Sequence, residues 1–359
     1  MKRMKNKNLF LSLLRLLLSL LLVASLLIVG IFLGLTNTQI YEDFSRHTEV
    51  FAVPTEPYDL ANARDREKAF TIEYPSDGVF TLLWGTDFHL RRGPFGGREK
   101  VYALLEKAFE ETDPDLTVIT GDLLFSISGK LMLKEFALFM EEHQRYWAFV
   151  FGNHDGQYRH DRASLGDMLA QYPHALFSRG EEWVLGESDY TIALTHQGEV
   201  VQALMMLDSH DSRNYETGKG PDYIYPSQIA WYEWVAQGLA GVPLYAFFHI
   251  PLPEYALLWE SGQATGVMND RYVNTPWENS GLFQAMIEGG TTVATFCGHD
   301  HLNDFHGLWE GIALHTGRSA SYGSYGSKTH EKGIKTITLT KDNPTKFVVK
   351  TYTVDEWDL

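Results

Sequence analysis

The chain has 359 residues, 44% apolar and 13% aromatic, and carries a net charge of −16 from 30 basic and 46 acidic residues. Enough apolar side chains are present to bury a large core, which excludes a disordered chain, and the acidic excess disfavours nucleic acid as a partner. A single cysteine, Cys297, excludes an intramolecular disulfide framework.

In chain order, the first feature is a basic leader ahead of an apolar run. Lys2, Arg3, Lys5, Lys7 and Arg15 fall in residues 1–15, and Leu16 to Leu35 contains no charge. As a helix, such a run is long enough to span a hydrocarbon core of about 30 Å. The basic leader places the N-terminus in the cytoplasm and everything after Leu35 outside. Secretion after signal cleavage is the competing reading, but no small-x-small site follows Leu35. The expectation is a single-pass membrane protein with a signal anchor over 16–35. Residues 36–75, with Pro54, Pro57 and Pro75, read as a stalk, and 76–359 as one extracytoplasmic globular domain.

Within that domain, five apolar or β-branched runs predict buried strands: Val79 to Trp84, Leu116 to Thr120, Trp147 to Phe151, Leu244 to Phe248 and Thr292 to Phe296. Amphipathic stretches at Arg98 to Glu111, Lys130 to His143, Leu165 to Gln171, Ser227 to Leu239 and Ser280 to Glu288 alternate with them and predict helices. Alternating stretches at Tyr190 to Thr195, Val200 to Leu207, Ile312 to His315, Ile334 to Leu339 and Phe347 to Val354 add strands without intervening helices.

Each of the five buried runs ends in side chains that bind metals. In order these are Asp87-Phe88-His89, Gly121-Asp122, Gly152-Asn153-His154-Asp155, His249 before Ile250-Pro251, and Gly298-His299-Asp300-His301. Open α/β sheets deliver their sites at such strand ends. Two carboxylates, an amide and four imidazoles suit Mn, Fe, Co or Zn, whereas an all-oxygen set would point to Mg or Ca. Seven ligands exceed what one tetrahedral ion needs but fill two divalent ions if a carboxylate bridges. Asp122 is the best bridge, because Gly121 lets the chain turn tightly beneath it. Two ions about 3.5 to 4 Å apart clamp a phosphoryl group and generate hydroxide near neutral pH.

The ordered set Asp-x-His, Gly-Asp, Gly-Asn-His-Asp, His and Gly-His-x-His resembles the calcineurin-like metallophosphoesterase superfamily. The resemblance implies a four-layer αββα sandwich and hydrolysis of phosphate esters, either monoesters or diesters. It implies that Asp87, His89, Asp122 and His301 hold one ion, and Asp122, Asn153, His249 and His299 the other. His154 would lie over the phosphate, oriented by Asp155. Phe247 to Tyr255 (FFHIPLPEY) and Gly298 to Phe305 (GHDHLNDF) resemble a fungal and plant subgroup labelled purple-acid-phosphatase-like. The purple enzymes carry a tyrosine ligand three residues after the bridging aspartate, where this chain has Phe125. A catalytically silent binding or sensor module on the same fold is the alternative from another class.

Further residues fall near the same rim. Arg91 and Arg92 are candidates to pair a phosphate, Asn303 and Asp304 to hold imidazole tautomers, and His210 and His306 to touch substrate. Tyr322 and Tyr325 in the glycine-rich stretch Gly317 to Gly326 are candidates to line a cleft. Tyr255, Trp259, Tyr272 and Trp277 hint at a ring-bearing leaving group, with core packing as the competing role.

Overall fold

The computed structural model describes residues 13–29, 51–93, 97–326 and 330–359. Residues 13–29 form a helix, mostly leucine, in which every residue is exposed. The expected span Leu16 to Leu35 runs past it, and residues 30–35 lie outside the described ones. Among the described residues no helix is long and apolar enough to cross a membrane.

Of the expected stalk 36–75, residues 51–75 are described, and they pack on the domain. Tyr58 is buried against Trp234, with ring centroids 5.1 Å apart, and Tyr74 is buried against Phe80 at 5.6 Å. Between them, Ala69–Glu73 is a strand in register with Tyr190–His196. The prolines that suggested a stalk flank this strand instead of forming a spacer.

Numbered along the chain, the strands begin with β1 (Ala69–Glu73), β2 (Val79–Gly85), β3 (Leu116–Thr120), β4 (Trp147–Val150) and β5 (Ala175–Leu176). They continue with β6 (Tyr190–His196), β7 (Glu199–Met206), β8 (Ser212–Tyr215), β9 (Gly218–Pro221), β10 (Leu244–Phe247) and β11 (Thr265–Met268). The last are β12 (Thr292–Cys297), β13 (Asn303–Trp309), β14 (Ile312–Thr316), β15 (Gly333–Thr340) and β16 (Phe347–Thr353). One sheet has eight strands in the order β1-β6-β7-β10-β12-β14-β13-β11, and the other six in the order β16-β15-β2-β3-β4-β5. β8 and β9 form a separate hairpin.

The central strands β2, β3 and β4 are mutually parallel, as are β7, β10 and β12, so within each sheet their carboxyl ends share one edge. Of these, β3, β4 and β10 are buried along their whole length, which is why they read as continuous apolar runs. Leu204, Met206, Tyr245, Phe247 and Phe296 face the other sheet and share a core with Leu82, Trp84 and Val118. Trp84 meets Phe296 edge-on at 5.1 Å across this interface. Alternate residues Ala203, Met205, Leu207, Leu244, Ala246 and Phe248 turn outward to a second core. Trp231, Tyr232, Leu258 and Met286, from helices Pro226–Gly238, Pro253–Glu260 and Leu282–Gly289, close that core. Helices Arg98–Thr112 and Gly129–Glu142 pack their apolar stripes on the six-stranded sheet. The result is the expected mixed α/β sandwich of four layers, with its strand ends pooled at one rim.

Candidate metal centre

Where the strands end, the backbone turns so sharply that several side chains sit in the left-handed region. Asp87, His89, Asp122 and His299 have φ of 54°, 49°, 52° and 78°. Each such residue costs of order 1–3 kcal/mol and persists only where its surroundings enforce it. The enforcement is visible: Asp87 N–H donates to Gly121 O (3.1 Å), and His89 N–H to Asp122 O (2.9 Å), so the turns after β2 and β3 run side by side. Gly152 and Gly298 permit the approach. A Cβ at Gly152 would lie 2.3 Å from the Asp122 nitrogen, and one at Gly298 would lie 1.9 Å from Thr86 Oγ1.

The seven expected ligands converge. Asp87, His89, Asp122 and His301 are buried, and one ligand atom from each lies within 4.8 Å of all the others. His301 Nε2 stands 3.2 Å from Asp87 Oδ1 and 3.0 Å from His89 Nε2, while His89 Nε2 is 3.5 Å from Asp122 Oδ2. The second group meets on the other side of Asp122. His249 Nε2 is 3.3 Å from the same Asp122 Oδ2 and 3.1 Å from Asn153 Oδ1, which in turn lies 2.9 Å from His299 Nδ1. Asp122 Oδ2 therefore stands between the two groups, as a bridging ligand requires.

The outward nitrogens and oxygens are held from behind. His249 Nδ1 donates to Thr120 O at 2.8 Å, which leaves the Nε2 lone pair for the interior. Asp87 Oδ2 accepts from Thr86 Oγ1 (2.8 Å) and from His299 N–H (3.1 Å), whereas its Oδ1 is buried with no hydrogen-bond partner. A buried carboxylate oxygen left to two imidazole nitrogens, His301 Nε2 at 3.2 Å and His89 Nε2 at 3.8 Å, fits a cation shared among the three. Burial pushes His89 down to about 4 and His299 to about 3, so both rings are neutral and ready to ligate. Burial opposes charge on His249 too, but Asp122 and Asp87 outweigh it and raise that ring to about 9. Burial also opposes ionisation of Asp87 and Asp122, and the imidazoles around them hold both below the usual carboxylate range.

His154 lies over this cage with its Nε2 3.9 Å from Asp122 Oδ2. Its orientation by Asp155 is not what the structure holds. The Asp155 carboxylate accepts backbone N–H groups from Gly152 (2.7 Å), Asp122 (3.0 Å) and Leu124 (2.8 Å), and so ties the β4 turn to the β3 turn. His154 Nδ1 has no hydrogen-bond partner. The ring is set instead by edge contacts with Phe125 at 4.9 Å and His89 at 5.1 Å. Phe125 also meets His89 at 5.4 Å, so the residue replacing the purple enzymes' tyrosine faces the cage without an oxygen to ligate.

Most of the other rim candidates serve elsewhere. Arg92 pairs with Glu135, and half-buried Asp304 sits between Arg318 (2.7 Å) and Lys335 (2.5 Å). Asn303 bonds Asp300 and the Asp270 backbone, not an imidazole. His210 is buried on Gln228, and His306 stacks on His315 between β13 and β14. Tyr255 and Trp259 belong to the second core, while Tyr272 and Trp277 are exposed and Trp277 stacks on Tyr215 at 4.9 Å. Tyr322 packs beside Lys100, away from the cage, but Tyr325 stacks on His301. The residues that do touch the outer faces of the imidazoles, Asn274 at His299 (2.8 Å) and Ser324 at His301 (3.0 Å), carry no motif in the sequence.

A two-sheet sandwich that commits five strand ends to one cage of carboxylates, amide and imidazoles is the architecture of a metallophosphoesterase. The chain belongs to the calcineurin-like phosphoesterase family, hydrolases of phosphoric esters, whose family model matches residues 80–303. It is 26% identical over 317 residues to probable inactive purple acid phosphatase 29 of Arabidopsis thaliana, covering 78% of this chain and 80% of that protein. It is 30% identical over 291 residues to phosphatase DCR2 of Saccharomyces cerevisiae, covering 70% of this chain and 48% of that protein. A crystal structure of a dimetal phosphatase from Danio rerio shares the fold, with a TM-score of 0.50 at 12% identity over 76% of this chain and 99% of that one.

Proposed function

We propose that the chain is a dinuclear-metal phosphoesterase whose domain lies outside the cytoplasmic membrane. The observation that carries the dinuclear reading is the place of Asp122 Oδ2, within 3.5 Å of His89 on one side and 3.3 Å of His249 on the other. Asp87, His89 and His301 would complete one ion's ligands, and Asn153, His249 and His299 the other's. Mn, Fe or Zn suit that donor set. Bound ions supply Lewis acidity there, polarising phosphoryl oxygens and making water nucleophilic near neutral pH. The chain's own part is to fix the ligands through Thr86, Thr120 and Asp155 and to present His154 from above. From that place the imidazole reaches a substrate oxygen and donates a proton to the leaving group.

Phosphate release from aryl mono- and diesters by the purified protein with Mn tests this reading, and the ratio of the two rates separates phosphatase from phosphodiesterase. A second reading, a silent sensor on the same fold, is favoured by the word inactive in the name of the Arabidopsis relative. Two bound ions without hydrolysis of either ester class would select it.

The location rests on the sequence from Leu16 to Leu35 and on the exposed leucine surface of helix 13–29. A helix that is apolar all round needs an apolar partner over its whole surface, which a bilayer provides. Retention in membranes through alkaline carbonate washing supports an anchor. A soluble product beginning shortly after residue 35 means cleavage and secretion.

A further inference from the structure

We propose that the loop from Ser321 to Gly326 is a metal-retention element, in which Ser324 and the Tyr325 carbonyl fix the tautomer of His301 and thereby set the affinity of one ion only. The inference rests on the two-ion reading above. His301 Nδ1 lies 3.0 Å from Ser324 Oγ and 3.3 Å from Tyr325 O. A carbonyl oxygen can only accept, so Nδ1 carries a proton and Nε2, the nitrogen that faces Asp87 and His89, is left as the ligating atom. The serine is itself oriented. Its hydroxyl donates to Ser321 Oγ at 2.8 Å, which turns its lone pairs toward the imidazole. Ser321 is fully buried and accepts a second bond from Gly323 N–H, so the donation runs one way, from His301 through Ser324 to Ser321.

The same loop grips His301 on two more sides. The Tyr325 ring stacks on the imidazole at 4.1 Å and 10°, and its hydroxyl accepts from His301 N–H at 2.9 Å. Buried Lys332 donates to Gly326 O at 3.2 Å and anchors the end of the loop. The other ion's imidazoles rest on other supports, His249 on Thr120 O and His299 on Asn274. Loss of the Ser324 contact therefore acts on the ion of Asp87, His89, Asp122 and His301, and Ser324 is a positioning residue for it. An outer partner of a ligating histidine typically contributes 10–100-fold in metal affinity.

Calorimetric titration of the chelator-stripped full chain with Zn, in detergent, tests this. For Ser324→Ala the expected result is one of two binding constants weakened by about 10–100-fold with the other unchanged, and recovery in Ser324→Thr, which keeps the hydroxyl. Wild-type constants in Ser324→Ala, or equal weakening of both, overturn the proposal. A wild type that binds a single ion overturns the two-ion reading and, with it, the selectivity proposed here, whereas two wild-type constants with no effect of Ser324→Ala overturn the proposal alone. No binding by the wild type overturns both.

Discussion

His154 differs from its neighbours in exposure: its side chain is 29% accessible, whereas those of His89, His249 and His301 are at most 3%. A ring that water and substrate can reach, beside the cage yet outside the ligand set, suits proton donation. His154→Ala is expected to keep both ions and lose about 10² to 10⁴ in rate on esters with poor leaving groups, with a smaller loss on good ones. Equal losses across a leaving-group series would leave phosphate positioning as its role. His249 supports a second prediction. Asp122 and Asp87 hold its ring protonated up to about pH 9, and only the neutral ring ligates, so protons compete with metal below that point. Affinity for the ion held by Asn153, His249 and His299 should rise about tenfold per pH unit between roughly pH 6 and 8, and a flat profile in a series of titrations would contradict the assignment. At this scale the ligands were legible because each sits in a short motif at a strand end. The work of Asp155 was not, since its partners are backbone groups of Asp122 and Leu124, brought beside it only by the parallel pairing of β3 and β4. Ser324 and Asn274 carry no signal either, because each meets its imidazole from a loop more than twenty residues away in the chain.

Strands buried on both faces announce themselves as apolar runs, and β2, β3, β4, β10 and β12 fall within a residue of their expected bounds. Edge and hairpin strands do not. β8 (SRNY), β9 (GKGP) and β13 (NDFHGLW) carry little apolar pattern because one side meets solvent, and their pairing comes from long-range register. The helix Pro253–Glu260 begins on a proline, which its first turn tolerates because no N–H is needed there. The tightest joint between elements is the close approach of the β12 turn to Thr86. Gly298→Ala would force a methyl carbon against Thr86 Oγ1 and within 2.9 Å of Asp87 Oδ2. That variant should fold with reduced stability and lose metal. Wild-type metal content measured by mass spectrometry would mean that the turn can shift without moving Asp87.

At the scale of the whole molecule, neither sheet holds the site alone. The six-stranded sheet supplies Asp87, His89, Asp122 and Asn153, and the eight-stranded sheet supplies His249, His299 and His301, so the centre forms only when the two pack. Trp84 on Phe296 and His249 on Thr120 O are the contacts that set that packing beside the cage. The layer order could not be read from periodicity, which fixes the elements but not which sheet each strand joins. It came through the resemblance, and the structure shows it in the alternation of β7 and β10 between two cores. The central claim is that this joint holds two ions across Asp122. Anomalous diffraction from crystals grown with Mn tests it most directly. The account predicts two peaks about 3.5 to 4 Å apart on either side of Asp122, one among Asp87, His89 and His301 and one among Asn153, His249 and His299. A single peak, or two peaks that do not share Asp122, would contradict it.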